Sequence, residues 1–211
     1  MGPDDRDAGR REGAAAALAR PLDGLLHRLE GGARVLARLA GGLVLATALV
    51  VGVEVALRGL AGYSLGVMHE MSGYVLAIVS AWSFTFALFC KQHIRIDIAY
   101  LYMPAGVQRL MDVLAYGFLA VFAVLLASAA WEVLSRAWLR GSTATTGLAT
   151  PLWIPQSAWF FGLFLFALAV TLVLARLVLA LLSGEQARAA ALAGGGHAED
   201  PDAAPAAGRS R

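Results

Sequence analysis

The chain has 211 residues, of which 59% are hydrophobic and only 15% charged, against about 45–50% and about 25% in soluble globular domains. That balance excludes an ordinary water-soluble fold, and a net charge of +2 with no basic stripe interleaved with aromatics excludes a nucleic-acid surface. The single cysteine, Cys90, leaves no disulfide framework and no thiolate metal cluster within one chain; it ends an apolar run and reads as a small hydrophobe.

Residues 1–20 are rich in Ala, Gly, Asp and Arg and predict a disordered tail. Residues 21–34 set Leu22, Leu25, Leu26 and Leu29 on one helical face, with His27, Arg28 and Glu30 elsewhere, the pattern of a short amphipathic helix on a membrane surface. Gly31-Gly32 then permits a turn into the bilayer. A membrane domain, 35–182, follows, with apolar runs at about 35–57, 71–90, 110–134 and 157–182. Each is near or above the roughly 20 residues that cross a bilayer. None shows the alternation of a barrel strand, so the chain reads as an all-α integral membrane protein with four transmembrane helices. Residues 183–211 form a second, largely disordered tail. The first run is too long, and too far from residue 1, for a cleavable signal peptide. Arg6 stands where a myristoylation motif needs Ser or Thr.

Orientation follows from the Lys and Arg residues near the helix ends. Arg6, Arg10, Arg11, Arg20, Arg28, Arg34, Arg38, Lys91, Arg95, Arg109, Arg176, Arg188, Arg209 and Arg211 fall on one side, against Arg58, Arg136 and Arg140 on the other. Both termini are therefore expected in the cytoplasm.

The polar islands have structural and functional readings. Glu54 and Arg58, and Glu132 and Arg136, stand four apart with the acid first, the favourable order for helical ion pairs at the outer ends of spans one and three. The alternative for Glu54 is a proton- or ion-coupling carboxylate. Directly after span two comes Lys91-Gln-His93-Ile94-Arg95-Ile96-Asp97, read as a helix leaving the membrane and turning at Pro104. His69 and His93 fall on opposite sides of the membrane and neither is mid-span, which argues against a haem site. Trp131, Trp138, Trp153 and Trp159 gather near the outer interface as an aromatic belt or a partner surface. Ala120, Ala123, Ala127 and Ala130 let another helix approach span three closely, from this chain or from a partner. No Walker motif, Pro-broken span or inverted repeat accompanies them, so an ATPase and a complete carrier are both poor fits.

These features resemble the DctQ family, the small membrane subunits of tripartite ATP-independent periplasmic (TRAP) transporters, across all four spans. The most specific match is His93-Ile94-Arg95-Ile96-Asp97 with Pro104 and Arg109, where members show a His-Ile-basic-Val-Asp stretch, a Leu-Pro and a basic pair. Arg58, Glu70, Trp82 and Thr150-Pro151-Leu152-Trp153 add support. The chain departs from the pattern in Phe84-Thr85-Phe86-Ala87-Leu88, where a Gly-Ala-Ala-like stretch is common, and in the single basic residue Arg109. The resemblance implies a non-enzymatic scaffold without cofactors in a bacterial inner membrane. Its partners would be a large multi-helix permease, which binds the coupling sodium, and a periplasmic solute-binding protein that delivers an organic anion such as a dicarboxylate. Interface candidates are His93, Arg95, Asp97 and Arg109 on the cytoplasmic side, Arg58, Glu70, Arg140, Pro151 and Trp153 outside, and Trp82 within span two. Two rivals make different predictions: a self-sufficient small exporter coupled through Glu54, and a haem-bearing anchor subunit of a membrane enzyme.

Overall fold

The computed structural model describes residues 3–62, 68–90, 104–145 and 149–183, together with Leu192. Four α-helices make up these segments: α1 Pro3–Ala61, α2 Met68–Phe89, α3 Ala105–Arg140 and α4 Trp153–Leu182. Each contains a stretch long and apolar enough to cross a membrane. At about 1.5 Å per residue even α2, with 22 residues, reaches about 33 Å, enough for a hydrocarbon layer of about 30 Å.

The α1–α2 and α3–α4 pairs pack antiparallel, and α4 is the hub. It packs against α1, α2 and α3, whereas α1 meets α2 and α4, and α3 packs chiefly on α4 alone. The sequence pattern explains this choice. Buried and half-buried positions on α3 run Val113, Tyr116, Ala120, Ala123, Ala127, Ala130, Leu134 and Ala137, alternating steps of three and four. A 3.5-residue repeat keeps one stripe facing a neighbour along a left-handed supercoil. The facing stripe on α4 is Leu163, Phe166, Val170, Val173, Leu177 and Ala180. Alanines on one side and large side chains on the other bring the backbones close and fill the gap. The alanine row that the sequence left open to a partner or to this chain is thus taken by α4. Gly162, Ala169 and Arg176 form a second buried row on α4, also seven apart. On α2 the seam is Tyr74, Ile78, Ala81, Thr85 and Leu88.

The longest helix carries the narrowest seam. Among the described side chains of α1, the buried ones are Ala19, Leu26, Ala33, Ala40 and Glu54, each a multiple of seven from the next, with half-buried Thr47 completing the series. The helix is continuous through Gly31-Gly32, where the sequence places a turn, and through residues 3–20, where it places disorder. Pro21 also lies inside it. Interior glycine costs a helix about 1 kcal/mol each and proline about 3 kcal/mol. The seam positions either side of these residues, Ala19, Leu26 and Ala33, are buried and offset that cost.

Most apolar surface on α1 and α3 stays outside the bundle. Leu45, Leu49, Phe118, Val121, Phe122 and Leu125 are all exposed, Phe118 at 73%. In water so large a patch would drive aggregation; against lipid tails or apolar partner helices it carries no such penalty.

Candidate interaction surfaces

The antiparallel arrangement sorts the candidate residues to two ends. One end collects the last turn of α1 with Arg58, the first turn of α2 with Glu70, the end of α3 with Arg140 and the start of α4 with Trp153. Arg58 and Arg140 are exposed there. Glu70 is half-buried and accepts a hydrogen bond from the Tyr74 hydroxyl at 2.6 Å. Glu54 is buried, 8% exposed, with an interaction partner of its own, while Arg58 four residues on is exposed. Glu132 and Arg136 form the ion pair that their spacing predicts, with both side chains more than half exposed.

The connection between α3 and α4 is built rather than slack. Gly141 ends α3 in the left-handed region, φ 57°, and the amides of Gly141 and Ser142 donate to the Trp138 and Ala137 carbonyls. A side chain at that φ would be strained, and the double bond closes the helix end. The chain then folds back on itself: Ala144 N–H donates to Thr150 O at 2.9 Å, Leu152 N–H to Ser142 O at 3.0 Å, and Thr143 pairs with Pro151 in an isolated antiparallel bridge. Trp138 and Trp153 meet edge-on, 4.9 Å between centroids, and clamp the base of this loop. Trp131 rests on Phe160 at 5.4 Å, and Trp159 packs on the Ala81, Ala130 and Leu163 cluster. The tryptophans thus brace each other and the bundle. Pro151 and Trp153 lie in or beside this loop.

Trp82 turns inward. Its indole Nε1–H donates to the Ala158 carbonyl of α4 at 2.9 Å. Beside it the helices cross so closely at Gly162 that a Cβ there would sit 2.7 Å from Trp82 Cδ1 and 2.8 Å from the Ala81 carbonyl carbon. The sequence offered one signal for this crossing: Gly162 is the sole glycine of α4.

At the opposite end, Arg109 is half-buried near the start of α3. His93, Arg95 and Asp97 lie outside the described residues. The strongest polar contact at this end was not anticipated from the sequence. Arg176, only 1% exposed, donates from Nε to Asp23 Oδ1 at 3.0 Å, joining α4 to the N-terminal half of α1. An Arg buried in an apolar helix requires such a partner. The signal was visible in Arg176 alone, the only charge of the fourth run, but nothing local pointed to a carboxylate 153 residues earlier.

Four membrane-length helices packed in one bundle define a multi-pass membrane protein. The family profile of the tripartite ATP-independent periplasmic transporters, DctQ component, matches residues 47–180, more than half of the chain and part or all of every helix. The chain belongs to this family and is a small membrane component of a TRAP-type transporter, a transport family rather than an enzyme family. No curated protein and no solved structure matches it.

Proposed function

We propose that the chain is the small permease subunit that braces a large multi-helix permease in the bacterial inner membrane and helps a periplasmic solute-binding protein to dock there. The complex takes up an organic anion, such as a dicarboxylate, on a sodium gradient, and the coupling ion and substrate bind in the large subunit. Both termini face the cytoplasm, as the distribution of Lys and Arg requires. The observation that carries this reading is the family match over residues 47–180. The bundle supports it: α1 and α3 each leave a long apolar face uncovered, area enough for a partner helix as well as lipid. The end with Arg58, Glu70, Arg140 and the Trp138–Trp153 loop offers rigid, polar elements for a binding protein. His93, Arg95, Asp97 and Arg109 would anchor the cytoplasmic interface.

The test is affinity purification from the native membrane in mild detergent through a tag on residues 183–211. Co-purification of a large permease is the expected result. A homo-oligomer with no permease after crosslinking would overturn the reading and favour transport by this chain alone through Glu54. For the docking role, Arg58→Ala, Glu70→Gln and Arg140→Ala together should abolish uptake that depends on the binding protein while leaving assembly intact. Unchanged uptake would remove these residues from the docking surface.

A further inference from the structure

Along residues 19–38 of α1 the charges are sorted by helical face. Asp23 and Glu30 stand seven apart, so they share one helical position beside the buried seam of Ala19, Leu26 and Ala33. Both carboxylates are engaged within the chain, Asp23 by Arg176 at 3.0 Å and Glu30 by Arg34 at 2.9 Å. Arg20, His27 and Arg34 are likewise seven apart and form the next row outward, with Arg28 and Arg38 further round; all five are exposed. The buried ion pair thus fixes which way the arm faces, and its outward side is basic. Leu25 and Val35 stand exposed among these side chains. Directly beyond Arg38 begins the uncharged stretch of α1 that extends to Val53.

That junction is where a bilayer changes from headgroup to hydrocarbon. Along the axis Arg34 lies about 6 Å and Arg28 about 15 Å from Arg38. A headgroup layer is about 5–8 Å deep on each side, and arginine side chains reach along it with their guanidinium in the polar zone. Guanidinium pairs phosphate through parallel hydrogen bonds. We propose that Arg34, which also pairs with Glu30, and Arg38, one turn further along, hold the phosphate of an anionic phospholipid at the membrane interface, on the face of α1 that the Asp23–Arg176 pair turns away from the bundle. The occupant is a lipid of the surrounding bilayer, because the cationic face is continuous with the helix's own membrane-facing surface.

The experiment uses the full-length protein in neutral detergent, titrated with phosphatidylglycerol or phosphatidylcholine and read by native mass spectrometry. A basic residue near an anionic surface is worth about fivefold in affinity. The Arg34→Gln, Arg38→Gln variant should therefore bind phosphatidylglycerol about twenty-five-fold more weakly. Arg140→Gln, at the other end of the bundle, should bind it as the wild type does. Should the double variant not fold, Arg38→Gln alone should show the fivefold loss. Equal affinity for the two lipids, an unchanged double variant, or displacement of the lipid by equimolar inorganic phosphate would each overturn the proposal.

Discussion

Replacing Gly162 by alanine tests the tightest contact in the bundle. The added Cβ would meet Trp82 Cδ1 at 2.7 Å, the Ala81 carbonyl carbon at 2.8 Å and Ala81 Cβ at 2.9 Å. Carbon atoms rest at about 3.5–4.0 Å, so α2 and α4 must part by close to an ångström, because a backbone carbon cannot rotate away. The same movement stretches the Trp82–Ala158 hydrogen bond from 2.9 Å towards the limit at which such a bond survives. Overpacking of this kind costs about 1–3 kcal/mol and the weakened bond about 1 kcal/mol. Alanine returns about 1 kcal/mol through its helix propensity. The net loss is about 2 kcal/mol, or about 4–8 °C for a chain of this size. Thermal unfolding in detergent, followed by tryptophan fluorescence, measures it. Adding Ala81→Gly removes one of the three clashes and should recover part of the loss. A Gly162→Ala protein as stable as the wild type would refute the close-packing argument.

Other perturbations follow from the same geometry. Asp23→Asn should destabilise by about 3 kcal/mol, because it leaves the buried Arg176 charge without its counter-ion; Asp23→Asn with Arg176→Gln should recover much of this, and equal losses in single and double variants would contradict the pairing. Glu132→Gln should change the stability by less than about 0.5 kcal/mol, since both members of that ion pair are exposed. Gly141→Ala should cost about 1 kcal/mol because the residue sits at φ 57°, and an unchanged midpoint would mean that the end of α3 can reform elsewhere. Trp153→Leu should lower stability by about 1 kcal/mol through loss of the edge contact with Trp138; limited proteolysis between residues 141 and 152 should then speed up.

How much of this was legible in the sequence depended on whether the signal was local. The four helices were legible because each needs an apolar run that water would reject, and the alanine row of α3 announced a close neighbour. Helix ends were not: α3 runs from Ala105 to Arg140, where the apolar run suggested 110–134, because its terminal turns are amphipathic and continue the same seam. The seam of α1 was hidden because its members, Ala19, Leu26, Ala33, Ala40, Thr47 and Glu54, share a spacing and not a chemistry. Spacing also did not reveal that Glu54 lies buried while Arg58 is exposed, since the seam takes up the first and passes by the second. The Asp23–Arg176 contact joins the two ends of the chain, and no window along the sequence contains both. Of the candidate residues, Trp82 was legible as important, and its indole fastens α2 to α4 within the chain.

The spacing of α1 also makes that helix a counting device. Glu54 reaches the inside of the bundle only because it stands fourteen residues, four turns of a slightly underwound helix, beyond Ala40. Deleting one residue between them would rotate everything beyond by about 100°. That rotation swings the carboxylate onto the outer face and brings a neighbour into its place. Losing a whole heptad instead would shorten the helix by about 10 Å and leave its phase untouched. Divergence in α1 should therefore preserve the count between its inward residues more strictly than their identity.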